Sequence, residues 1–242
     1  MAPPALKESP LPDTPISTVL LVIALHAEAA PLVADLRLTQ DSQAVFPEGV
    51  PWVKYSGTYE GLNVHIVTPG KDGIHGCDPV GTVPASLLTF NSIQVLKPDL
   101  IINCGTAGGF QGYREYGVGA LEATPVPKLI SALQLKTGVL TTGDSLDHVP
   151  EDVVIMKAND ATVKDMEVCP LYMPFGGAAI AYVAHLLSVP LIMLKGVTDI
   201  VDSPAATDEE FLANLSLTAH AIQRTVSKAL QFISGKKLSD LQ

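Results

Sequence analysis

Apolar residues fall along this chain in short unbroken runs, separated by stretches with helical spacing. The run over Thr18–Ala24 is apolar after its first residue and predicts a buried strand, and His26–Leu36 follows it as a helix. Trp52–Thr58 and Leu62–Thr68 read as paired strands, with Gly61 and Asn63 marking the turn between them. A helix is predicted over Val80–Val95, where Val83, Leu87, Leu88 and Ile93 share a face. Pro98–Asn103 is a short buried strand, and Gly105–Gly109 is the turn that leaves it. Further on come a helix near Pro127–Leu135, a strand at Thr137–Thr141 and a weakly periodic piece at Pro150–Ala158. After a strand at Ala161–Met166, helices at Gly177–Leu187 and Thr207–Ser234 flank a strand at Val189–Val197. Strands alternating with helices predict the α/β class: one three-layer domain with a mostly parallel, mixed central sheet covered by helices. Residues 1–15 read as a disordered leader and residues 16–242 as the domain.

Composition narrows this picture. A chain of 242 residues suits one such domain, and with 47% hydrophobic and only 17% charged residues it can fill a large core. A net charge of −10 argues against a nucleic-acid partner, which needs a basic face. Cys77, Cys104 and Cys169 are odd in number and fit no zinc or disulfide spacing, so a reducing, cytoplasmic setting is expected. The run Val19–Leu25 followed by Ala27-Glu28-Ala29 imitates a signal peptide, yet the segment before it sets Lys7 against Glu8 and Asp13. A secretory leader starts positive. No run is long enough to span a membrane.

Three acids stand at the ends of predicted strands. Asp199 closes the run Val189–Asp199, Glu167 closes Ala161–Glu167, and Glu28 lies just past the first strand. Ligands of open α/β sheets bind beyond the carboxyl ends of the strands. Three carboxylates there can serve as acid, base and hydroxyl clamp. The alternative for each is an acid that merely favours a helix start. Gly105-Thr106-Ala107-Gly108-Gly109 brings bare backbone and one hydroxyl to the same edge, which suits a sugar or a base. It has neither the Gly-Lys-Ser/Thr ending of a Walker loop nor the spacing of a dinucleotide fingerprint.

Five segments taken together resemble the nucleoside phosphorylase/nucleosidase superfamily and, within it, the plant-type methylthioadenosine/S-adenosylhomocysteine nucleosidases. They are Val22–Glu28, Asn103–Phe110, Thr142–Asp147, Lys164–Glu167 and Lys195–Asp199, in the family's order. The resemblance implies hydrolysis of the N-glycosidic bond of methylthioadenosine, without cofactor or metal, in a homodimer. Asp199 matches the family's acid for the adenine leaving group, and Glu28 the residue that orients and deprotonates water. Glu167 matches the acid that grips the ribose hydroxyls, with Met166 packing under the sugar. Thr106 would line the nucleoside, and backbone near Leu146 and Asp147 would read the adenine edge. Lys164 and Asp165 belong to the same motif as Glu167, but solvated or structural roles suit them, and Lys195, equally well. A phosphorolytic relative needs cations for phosphate, typically an arginine where this chain has Asn103; water is therefore the expected nucleophile.

Two departures from the family pattern stand out. Gln111-Gly112 runs straight into Tyr113-Arg-Glu-Tyr-Gly, so a core strand that the family has here is expected to be missing. Its loss should expose sheet edges and open the 5′-alkylthio end of the pocket. Val168–Gly176 is inserted directly after Glu167, and its prolines resist helix formation. Both changes lie at segment joints, which suits an alternatively spliced or mis-assembled form. A catalytically impaired or non-catalytic nucleosidase-like protein, a nucleoside binder or storage protein, is the competing reading.

Overall fold

The computed structural model describes residues 13–41, 45–109, 123–142, 150–158, 160–165, 179–201 and 207–242. β1 (Thr18–Val22) enters the middle of the molecule and leads into α1 (His26–Asp35). A short β2 (Thr39–Gln40), β3 (Val53–Tyr59) and β4 (Leu62–Thr68) form one wing of the sheet. α2 (Thr82–Leu96), β5 (Leu100–Gly109), α3 (Pro127–Leu133), β6 (Leu140–Thr142), α4 (Pro150–Ala158) and β7 (Val163–Asp165) come next. α5 (Ala179–Leu186), β8 (Leu191–Ile200) and the long α6 (Thr207–Ile233) complete the order, before a 3-10 turn at Leu238–Leu241.

The strands lie in the order β2-β3-β4-β1-β5-β7-β6, and β8 adds to β5. β1 runs parallel to β4 and β5, and β8 runs parallel to β5; β3 is antiparallel to β4, and β7 to β5. The sheet is mixed, as the alternation of elements predicts. The β3–β4 hairpin closes through Glu60 and Gly61 at φ 50° and 80°, two consecutive left-handed residues of the kind tight hairpins need.

Alternate residues of the central strands feed two cores. Val19, Leu21, Leu100 and Ile102 point into a layer with Leu32 of α1, Leu36 just past its end, Leu129 of α3 and Val226 and Leu230 of α6. Leu20, Val22 and Ile101 point the other way, towards Ala85, Leu88 and Ile93 of α2 and Ile180 and Val183 of α5. β1 is buried on both faces, which is why its sequence reads as a continuous apolar run.

Three expectations need correction. The glycine run Gly105–Gly109 is not a turn but the second half of β5, held by β8 on one edge and, at its end, by β7 on the other. Asp199 does not lie past its strand; β8 continues through it to Ile200. On α2, Leu88 and Ile93 are buried as predicted, whereas Val83 is 67% and Leu87 56% exposed. That helix is apolar on both sides, and hydrophobic spacing alone does not say which side meets the sheet. The expected loss of a strand after Gly112 and the insert Val168–Gly176 lie outside the described residues.

Candidate active site

β1, β5 and β8 run parallel, so their carboxyl ends bring α1, the glycine run and Asp199 together. Leu25 caps α1 in extended conformation, which makes Glu28 the third helical residue. From there its Oε2 reaches back to accept the Leu25 backbone N–H at 3.3 Å. Oε1 accepts the Thr106 backbone N–H at 2.7 Å and the Thr106 hydroxyl at 2.6 Å. The carboxyl comes this close because residue 105 is glycine: a Cβ there would stand 3.2 Å from Oε2. Glu28 is 4% exposed. Its burial pushes the pKa above the usual glutamate value, against the Thr106 and Leu25 hydrogen bonds and the positive charge of Lys195.

Asp199 sits across from this glutamate's anchor. In the β5–β8 register Thr106 faces Gly196, Ala107 faces Val197 and Gly108 faces Asp199, so Thr198 is an extra, bulged residue. Asp199 is 8% exposed. Its Oδ1 accepts the Thr198 hydroxyl at 2.7 Å, and a Cβ on Gly108 would approach Oδ2 to 2.9 Å. Burial raises the Asp199 pKa most; the Thr198 bond lowers it, the Glu210 carboxylate raises it and Lys164 lowers it. Both carboxylates therefore stand over the same five-residue run of β5, and both favour the protonated form more than an exposed acid does.

The remaining candidates divide. Lys164 is buried, pairs in register with Gly108, and is close enough for its charge to act on Asp199. Asp165 points elsewhere: its carboxylate accepts the Thr142 hydroxyl and meets Lys195 Nζ at 2.6 Å. That buried pair ties β6, β7 and β8 together under the site. Met166, Glu167, Leu146 and Asp147 lie outside the described residues. Asn103 is buried, and its side-chain amide donates to the Val22 carbonyl at 3.2 Å, binding β5 to β1. The sequence motifs do not mark Thr198 and Glu210 as neighbours acting on Asp199, nor the pairing of Lys195 with Asp165. A hydroxyl directly before the acid in Val197-Thr198-Asp199 was the available sign for the first.

Comparison with known proteins identifies the family. The profile of the Phosphorylase superfamily matches residues 18–121. A 5′-methylthioadenosine/S-adenosylhomocysteine nucleosidase of Arabidopsis thaliana is 46% identical over 252 aligned positions, covering 94% of this chain and 96% of the relative. A 5′-methylthioadenosine nucleosidase of the same plant is 45% identical, covering 94% of this chain and 91% of its own. The solved apo structure of Arabidopsis thaliana 5′-methylthioadenosine nucleosidase superposes with a TM-score of 0.85 at 42% identity, over 94% of this chain and all of that one. An alignment of 252 positions exceeds the 242 residues of this chain, so the relative has positions with no counterpart here. With similarity of this degree over almost its whole length, the chain belongs to the family of 5′-methylthioadenosine/S-adenosylhomocysteine nucleosidases.

Proposed function

We infer that the protein hydrolyses the N-glycosidic bond of 5′-methylthioadenosine to adenine and 5-methylthioribose, a step of methionine salvage, with S-adenosylhomocysteine as a further candidate substrate. The observation that carries this reading is the pair of buried carboxyls, Glu28 of α1 and Asp199 of β8, packed against the glycine run of β5 in a chain whose relatives are nucleosidases. Adenine leaves poorly as an anion. Asp199 gives its proton to N7 as the C–N bond breaks and the bonding electrons pass to the base. The ribosyl group gains oxocarbenium character, as in other glycoside cleavage. Water attacks the anomeric carbon and surrenders its proton to Glu28, which Thr106 and the Leu25 amide hold in place. Thr106 lines the nucleoside. By family resemblance Glu167 grips the ribose hydroxyls above Met166, and backbone at Leu146 and Asp147 reads the adenine edge. Lys164 acts on Asp199 through its charge, and Asp165 supports the floor through Lys195.

Water rather than phosphate is the nucleophile. The Asn103 amide is engaged by the Val22 carbonyl, and Lys71 of the early loop pairs with Asp78 at 3.1 Å. In ¹⁸O-labelled water the label enters the anomeric hydroxyl of methylthioribose, at a rate independent of added phosphate. Phosphate-dependent turnover to a sugar 1-phosphate would instead revive the phosphorolytic alternative.

The glycine at 108 sets the reach of the acid. A methyl group there would lie 2.5 Å from Val201 Cγ2 and 2.9 Å from Asp199 Oδ2, so one of them must move. Gly108→Ala is expected to lower kcat roughly a hundredfold, the effect of a displacement near 1 Å. Steady-state assay of the purified variant checks this; parental kcat would mean that Asp199 is not held by that contact.

A homodimer fits the surface. α2 and α5 pack together, and Val83, Leu87 and Phe90 of α2 and Tyr182 and Leu186 of α5 are all exposed. Exposed apolar side chains gathered on neighbouring helices mark association sites. A second copy covering α2 accounts for them. Sedimentation of the parent should give a dimer, and Leu87→Glu should give a monomer; a dimer unaffected by the charge would move the interface elsewhere. Among the described residues no helix is long and apolar enough to cross a membrane. Cys77 and Cys104 are free thiols, which suits a cytoplasmic setting.

A further inference from the structure

Among the described residues the only strand paired with β8 is β5; on the other edge Leu191 exchanges hydrogen bonds with Thr124, and no described strand pairs there. At the acid-bearing end two backbone groups of β8 are met by side chains of α6. The Asn214 amide donates to the Thr198 carbonyl at 2.8 Å, and the Glu210 carboxylate accepts the Ile200 backbone N–H at 3.3 Å. Asp199 lies between the two contacts. The spacing fits: two residues along a strand cover about 6.6 Å, and four residues along a helix rise about 6 Å. α6 runs antiparallel to β8 here, so Asn214 meets the earlier strand residue and Glu210 the later one. The site needs such support because Thr198 is bulged out of the β5 register, and an unpaired bulge re-aims the side chains beside it.

We propose that Glu210 and Asn214 are positioning residues for Asp199, a side-chain clamp on the edge of β8 away from β5 that fixes the direction in which the acid points. The proposal rests on the nucleosidase reading for its consequence in catalysis, but the clamp itself is a matter of geometry. Among the described residues three groups face the Asp199 carboxyl: the Thr198 hydroxyl from its own strand, Glu210 from α6 and Lys164 from β7. Gly108 of β5 adds no charge. Glu210 therefore has a second effect beside its hydrogen bond, since its negative charge disfavours ionisation of Asp199.

These two effects separate in two substitutions. Glu210→Gln keeps an acceptor for the Ile200 N–H but removes the charge, whereas Glu210→Ala removes both. In the full chain, the ¹³C titration of the Asp199 carboxyl should move to lower pH in Glu210→Gln while Ile200 amide exchange stays slow. In Glu210→Ala the Ile200 amide should exchange about fivefold faster, the effect of losing one hydrogen bond of roughly 1 kcal/mol. Asn214→Leu should lower kcat by between about tenfold and a hundredfold with KM little changed, as a misdirected acid does. An Asp199 titration that does not move in Glu210→Gln overturns the proposal, and so does an Ile200 amide that exchanges at the parental rate in Glu210→Ala. Neither readout needs turnover. Absence of adenine release from the parent chain would sink the nucleosidase reading and leave the clamp to be judged by titration and exchange.

Discussion

Asp199→Asn lowers kcat for adenine release by about 10²–10⁴-fold, the range supplied by a general acid, while KM changes much less. The amide is nearly the same size and can still accept the Thr198 hydroxyl that now bonds Oδ1 at 2.7 Å. It can offer adenine N7 a hydrogen bond, but it has no proton to transfer. The pH dependence gives the sign. An acid must be protonated to act, so activity falls as pH rises through its pKa, and burial places that pKa above the ordinary aspartate value. The alkaline limb of the kcat/KM profile should therefore lie above the ordinary aspartate value in the parent and vanish in Asp199→Asn. A variant that keeps both the parental rate and the limb would remove Asp199 from the chemistry.

Glu28→Gln is the second large effect. Glutamine keeps one oxygen for the Thr106 amide and hydroxyl, which bond Glu28 at 2.7 and 2.6 Å, but it cannot take a proton from water. A loss in kcat of about 10²–10⁴-fold is expected, again with little change in KM. Stability should change in a defined direction as well. Because the folded protein raises the Glu28 pKa above about 4.5, the fold holds the proton more tightly than the unfolded chain does. Between those two pKa values the folded state loses stability as pH rises. The difference in Tm between Glu28→Gln and the parent should thus shift in the variant's favour as pH increases from 4.5, then level off above the native pKa. Melting curves that run parallel across that interval would contradict the burial cost assigned to Glu28.

Much of the fold was legible, and the failures share a cause. Leu62–Thr68 was read to the residue, since its apolar pattern is bounded by a hairpin turn at Glu60–Gly61. β1 was equally plain because both of its faces are buried. Gly105–Gly109 misled because glycine has little intrinsic preference for strands; the flanking β7 and β8, remote in sequence, make it one. The same pairing carries β8 past Asp199, where Gly196 and the polar Thr198-Asp199 suggest an end. Val83 and Leu87 were placed in the core because α2 has two apolar faces and only tertiary packing chooses between them.

The site was legible as a set of residue types, and its connections were not. Glu28 and Asp199 stood out as acids at strand ends, but the bonds from Thr106 to Glu28 span 78 positions, a relation no local pattern encodes. Asp165 belongs to the motif Lys164–Glu167, but its ion pair with Lys195, 30 positions away, is not written in that motif. Nor does the acidic start of α6 announce its role: Glu209 is exposed, and only the phase of the helix turns Glu210 and Asn214 towards β8.

The central claim is that this chain cleaves methylthioadenosine through Glu28 and Asp199. It is tested most directly by incubating the purified full chain with 5′-methylthioadenosine in phosphate-free buffer and measuring adenine. The account predicts one adenine per methylthioribose over many turnovers, with the rate reduced at least about a hundredfold in both Glu28→Gln and Asp199→Asn. No adenine from the parent, or undiminished release from either variant, would contradict it.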